Sequence, residues 1–199
     1  MSEQAEHEQV VDEEIETLRA AIFDESLSGV RRAGEVYPLG AFLLVGAMID
    51  MLAGLRYAPK NDGDGKQGDR YADFVHEFFP AQYSELQMGA RLWRGLRCRP
   101  LHNFSADDVA LADGQSADIH LQHETNGRVL LHWPEFLADY SSALGHYWSA
   151  LETDPQVRTN AVIRCLRFPP MMVMEVVFLP SPFSTLTIPV TGASAWSAR

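Results

Sequence analysis

The sequence predicts a mainly α protein: a single helical bundle with a small inserted β-hairpin and an extended C-terminal tail. Three observations carry that expectation. Apolar residues recur at spacings of three and four through several separate stretches. One Asn-Gly pair, Asn126-Gly127, sits between two alternating runs. Pro169-Pro170 then ends the helical pattern, and apolar β-like runs follow it. With 199 residues, 46% hydrophobic and 22% charged, the chain can bury a core without staples. That composition excludes a disordered chain, a disulfide-rich miniprotein and a rod. The expected organisation is one domain with arms. Residues 1–34 form an acidic helix and linker, 35–170 the bundle with a hairpin at 118–133, and 171–199 the tail.

Glu8 to Phe23 reads as a helix, because Val11, Ile15, Leu18 and Ile22 make one apolar stripe on otherwise acidic faces. Ser26, Ser28 and Gly29 should break it, with Gly34 separating it from the next element. Val36 to Leu55 is apolar nearly all round and belongs at the bundle centre. Its longest uncharged run, Val36–Ile49, is 14 residues and falls short of a membrane span. Asn61–Asp69 is a Gly/Asp-rich loop. It is not an EF-hand, since the twelfth position counted from Asn61 is Ala72 rather than Glu.

Arg70–Phe79 reads as an aromatic helix stopped by Pro80, and Ala81–Arg97 as another, ending near Cys98 before Pro100. Tyr83, Leu86, Ala90, Trp93 and Arg97 should share one face of it, with Met88, Leu92 and Leu96 on the adjacent face. A two-residue type I′ loop at Asn126-Gly127 would place His123 opposite Leu130 and Leu121 opposite His132. Pro134 opens a long helix through Phe136, Tyr140, Leu144, Tyr147 and Leu151. Asp154-Pro155 caps one more helix, to about Arg167.

Of the formal charge of −11, residues 1–25 carry −8 and the rest only −3. The acidity is thus local, and any nucleic-acid contact would have to be local too. The acidic helix is itself a candidate surface for a protein partner. Cys98 and Cys165 form no C-x-x-C pair, and Met1–Val10 has no signal-peptide character, so a reducing cytoplasm is the expected location. The apolar excess of the central helices and tail points to a homodimer. No membrane association is expected.

The most suggestive run is Leu96-Arg97-Cys98-Arg99-Pro100-Leu101-His102, at the end of a bundle helix. Arg97 can take two phosphate oxygens in a fork, and His102 can move protons near neutral pH. Arg94 and Arg99 add positive charge. Cleavage of RNA through its 2′-hydroxyl needs a proton acceptor, a proton donor and charge stabilisation, and in principle no metal. The same residues also have a purely structural use: Arg97 in an ion pair or at the helix C-terminus, His102 on a freed carbonyl.

Arg97-x4-His102 in this setting resembles the HEPN superfamily, and the surrounding text resembles a bacterial HEPN-like group. The matching pieces are Phe78-Phe79-Pro80, Tyr83, Leu86, Gly89, Leu96-Arg97, His102, the segment Asp118–Trp133, Phe136 and Tyr140. The resemblance covers about Val36 to Arg167. It implies a helical bundle associated with RNA or nucleotide. Such a protein is either a metal-independent ribonuclease of toxin or defence type or a non-catalytic interaction module with a decayed motif. It implies Arg97 and His102 as catalytic residues and two motifs paired across a homodimer; from the residues themselves, Arg94, Arg97 and Arg99 are the expected phosphate contacts, and no cofactor is expected. RNA-cleaving members usually carry Asn, Asp or His where this chain has Cys98.

Other chemistry has less support. His123 and His132 would share a hairpin face, with His146 or His76 as a third metal ligand, but no H-x-x-x-H or H-E-x-x-H exists. There is no G-x-S-x-G elbow and no phosphate-binding glycine loop. Asp107-Asp108 reads as a loop or helix start after Ser105.

Overall fold

The structure, a computed structural model, describes residues 12–13, 15–20, 27–57, 66–98, 108–112 and 117–167. The expected C-terminal tail, Arg99 and His102 lie outside the described residues. The chain is mainly α. Its helices are α1 (Leu27–Val36), α2 (Pro38–Arg56), α3 (Gln67–Phe78), α4 (Ala81–Glu85), α5 (Met88–Leu92), α6 (Trp133–Thr153) and α7 (Pro155–Arg167). A π-helical turn, Trp93–Cys98, extends α5. Near the N-terminus, residues 12–13 and 15–19 are helical, and Ile15 and Leu18 of the predicted stripe are buried.

α2 is the central element and packs against α1, α3, α6, α7 and the π turn. Its apolar surround explains this: Ala41, Phe42, Val45, Ile49, Leu52 and Ala53 are buried on several sides of the helix. Its 19 residues are long and apolar enough to cross a membrane by length and composition, with a mean hydropathy of 1.9 and 44% of that window buried. Aromatic side chains fill the space between α2, α3 and α6. Phe42 meets Trp133 at 5.0 Å and Phe136 at 5.4 Å, and Phe74 and Phe78 meet Tyr147 at 5.6 and 5.4 Å.

α1 was expected as a break. It is a helix, and its glycine serves close approach: a Cβ on Gly34 would lie 2.3 Å from Trp133 Nε1. The helix expected over Ala81–Arg97 is divided at Gln87, a non-glycine residue at φ 52°. Beyond it the core face is Met88, Leu92 and Leu96, all buried, while Leu86, Ala90, Trp93 and Arg97 are half-buried. A Cβ on Gly89 would meet Ala72 Cα at 2.6 Å, so this glycine lets α5 lie directly on α3.

The hairpin expectation needs correction. The sheet is a parallel pair, β1 (Val109–Ala112) and β2 (Val129–His132), in the register Val109↔Val129 to Ala112↔His132. A parallel pair requires a crossover, and its described part is residues 117–128. The returning limb makes only one antiparallel bridge, His123↔Val129. Its turn has Gly127 N–H on Glu124 O at 3.0 Å and Glu124 N–H on Arg128 O at 2.8 Å. Gly127 alone takes a positive φ of 84° there, so the loop has three residues and a glycine bulge rather than a type I′ pair. That one-residue slip changes which side each residue faces. His123 is exposed and His132 is buried. At the far end the predicted cap is present: Asp154 Oδ1 accepts from Gln156 N at 2.8 Å and opens α7.

Candidate functional site

The motif arginines sit on the π turn, a device that widens a helix by one residue and often marks function. Two glycines let this turn press into the body. A Cβ on Gly46 would meet Leu96 Cβ at 2.9 Å, and one on Gly95 would meet Val109 Cγ2 at 2.7 Å. Gly46 and Asp50 are four residues apart and share a face of α2. Seating Leu96 on Gly46 therefore brings the next residue, Arg97, to Asp50. Arg97 Nε donates to Asp50 Oδ2 at 2.8 Å, with the side chains 36% and 26% exposed. Arg94 Nε donates to Asp108 Oδ2 at 2.8 Å, and this hydrogen bond raises the guanidinium pKa. Arg91, not singled out in the sequence, donates to the carbonyls of Leu86, Asp108 and Gly127 at 3.1–3.4 Å. It ties the helix to the crossover.

Cys98 is half-buried, and burial raises its thiol pKa against the lowering effect of Arg97. A raised thiol is a poor nucleophile at neutral pH. Tyr71 is completely buried close to this ion pair. Burial raises its phenol pKa, Asp50 adds to the rise and Arg97 opposes it. Of the predicted phosphate set, the described residues thus contain Arg94 and Arg97, each turned onto a carboxylate.

A second polar cluster was invisible in the sequence. Tyr83 Oη donates to Asp139 Oδ2 at 2.8 Å, and His120 Nε2 lies 3.1 Å from the same oxygen. The His132 backbone N–H donates to His120 Nδ1 at 3.1 Å, which places the ring proton on Nε2, facing Asp139. Tyr83 is fully buried and its pKa is raised, by burial first and then by Asp139. Three segments, α4, the turn at His120 and α6, are locked together by neutral donors on one carboxylate.

A third feature is an open groove of about 310 Å³ beside α3 and α4, lined by Asp73, His76, Tyr83, Ser84 and Gln87 among others. His76 Nδ1 and Ser84 Oγ are 2.6 Å apart. Among the described residues no hydrogen bond joins His76 to a carboxylate, so the orienting member of a nucleophile triad is not in place there.

The histidines proposed for a metal are dispersed. His132 Nδ1 bonds Glu135, His146 Nδ1–H donates to Phe78 O at 3.0 Å, and His76 meets Ser84. Among the described residues no group of three His, Cys, Asp or Glu side chains is placed to hold a metal ion. No known protein family, curated protein or solved structure matches the chain.

Proposed function

We propose that the chain is a cytoplasmic, HEPN-like helical module that acts by association rather than by RNA cleavage. The observation that carries this reading is the Arg97–Asp50 ion pair. An arginine whose Nε is already given to a carboxylate contributes to the fold, and part of its positive charge is compensated before any phosphate arrives. Cys98 adds support, since a raised thiol neither orients a phosphate nor attacks one. The partner is a protein. The acid-bearing outer face of the N-terminal helix offers one surface, and the apolar corner of Val36 and Leu39, 86% and 43% exposed, offers a second copy another.

A second reading is association with RNA or nucleotide, with Arg97 and His102 cleaving RNA without metal or cofactor and Arg94 and Arg99 holding phosphate. What favours it is the π turn, placed at the motif itself. One experiment separates the two. Wild type, Arg97→Ala, His102→Ala and Cys98→Asn are incubated with total RNA, and melting temperatures are recorded in parallel. Association predicts intact RNA in all four and a lower melting temperature for Arg97→Ala alone. Cleavage by wild type that His102→Ala abolishes would establish the second reading. Light scattering that finds only monomer at micromolar concentration removes the dimer from either.

A further inference from the structure

The outer side of α2 carries an uncovered apolar stripe. Gly40, Leu44, Ala47, Met51 and Gly54 follow one another at spacings of four, three, four and three, so they lie along one line of the helix. Leu44 is 48% and Met51 37% exposed, and Ala47 is exposed as well. Tyr37 lies over the N-terminal end: a Cβ on Gly40 would meet its ring at 2.5 Å. None of these residues is charged.

The other end of the stripe is already occupied, and by α7. Asn160 Nδ2 donates to Arg56 O at 3.0 Å. One turn later, Arg164 Nε lies 3.5 Å from where a Gly54 Cβ would stand. As α7 advances it therefore moves backwards along α2, from Arg56 to Gly54. It ends at Arg167, three residues after this contact. The chain then continues for 32 residues, Phe168–Arg199.

We propose that the chain's own C-terminal segment, Met171–Leu179, lies along this stripe from Met51 towards Tyr37. The lengths agree. From Met51 to Gly40 the helix rises about 17 Å, and nine extended residues reach about 30 Å. Phe168-Pro169-Pro170 is a short connection whose prolines cannot continue the helix and bias the backbone to extended conformations. The chemistry also agrees: Met-Met-Val-Met-Glu-Val-Val-Phe-Leu holds one charge in nine residues, against a stripe with none. This leaves a second copy to the Val36 and Leu39 corner, and gives α2 a cover without a membrane.

The test uses the full chain with cysteines at Ala47→Cys and Val176→Cys, and with Cys98→Ser and Cys165→Ala to remove the native thiols. A short bis-maleimide is added, and folding is checked by helical circular dichroism. The expected product is an internal cross-link at monomer mass, with a yield independent of protein concentration. A cross-link at dimer mass assigns the stripe to a second copy and overturns the proposal. So does no cross-link in a folded chain. Leu44→Lys supplies a readout free of engineered thiols. Trypsin should cut after Arg167 at least about tenfold faster in this variant, because a lysine removes a leucine's apolar contact and opposes burial. An unchanged cutting rate in a folded variant would falsify the docking.

Discussion

The two polar clusters differ in how they meet water, and that difference separates a surface feature from a structural lock. At the π turn, Arg97 and Asp50 are formally charged and side by side, yet a quarter to a third of each side chain remains exposed. Solvent screens such a pair and lessens its worth. At Tyr83, His120 and Asp139 a single carboxylate gathers a buried phenol and a nearly buried imidazole, 10% exposed. The two donors there are largely shut off from water, although the Asp139 carboxylate itself is 25% exposed. The motif that looks chemical is thus held by a replaceable contact. The cluster that no motif announces is held by contacts that leave buried groups unsatisfied when removed.

The largest expected effect concerns the sealed interior as a whole. Burial raises the phenol pKa of Tyr71, Tyr83, Tyr140 and Tyr147 above the ordinary value of 10.0. Below pH 10 both folded and unfolded chains hold these protons, so stability does not depend on them. Above it the unfolded chain releases protons that the folded chain keeps, and stability falls as pH rises. Each phenol contributes up to about 1.4 kcal/mol per pH unit, so the four together lower stability by up to about 5 kcal/mol per unit. Alkaline titration of a Tyr37→Phe variant, which removes the one phenol left 60% exposed, should therefore show tyrosinate absorbance and loss of helical signal rising together, within about three units above pH 10. Independent ionisation with the helices intact would break the picture of a sealed interior.

Next in size is Asp139→Ala. It leaves the Tyr83 hydroxyl and the His120 N–H without their shared acceptor, which costs about 2–3 kcal/mol. For a chain of this length the melting temperature should fall by about 4–12 °C. Asp139→Asn keeps an acceptor oxygen and should recover much of that loss. Arg97→Ala comes below it. As an exposed pair it is worth about 0.2–1 kcal/mol, so the melting point should move by no more than about 4 °C. If Arg97→Ala proves the costlier change, the ranking of the two clusters is reversed and the motif becomes the structural lock.

The long elements were legible because periodicity is a local property. α3, α6 and α7 each show it over 12 or more residues, α2 is legible instead from its unbroken apolar run, and Asp154-Pro155 marks the cap of α7 outright. Gln87 was not legible: nothing in its side chain announces a left-handed backbone, and tertiary packing of Gly89 on Ala72 imposes the break. β1 is four residues with two alanines, too short and too plain for an alternating signal. The hairpin failed by one residue, because Asn-Gly fits both a two-residue loop and a three-residue loop with glycine last. The site shows the same limit. Arg97 could be picked from its spacing to His102, but its partner Asp50 lies 47 residues away on another helix. Tyr83, His120 and Asp139 are 37 and 19 residues apart in turn and share no motif.

The expected effect that changes sign comes from the most direct comparison of buried phenols. Tyr83 and Tyr140 are both fully buried. Tyr83 donates to Asp139, whereas the Tyr140 hydroxyl has no hydrogen-bond partner among the described residues. Removing the oxygen from Tyr140 takes away a polar atom that burial penalises and breaks no bond. Tyr140→Phe should therefore be neutral or stabilising by up to about 1 kcal/mol. Tyr83→Phe loses a charge-assisted bond, but His120 still satisfies Asp139, so the cost is about 1–2 kcal/mol rather than the larger loss at Asp139 itself. Urea denaturation of the two variants reads the sign of each. Equal destabilisation of both would mean that the Tyr140 hydroxyl has an acceptor after all, and that the contrast between satisfied and orphaned phenols does not exist in solution.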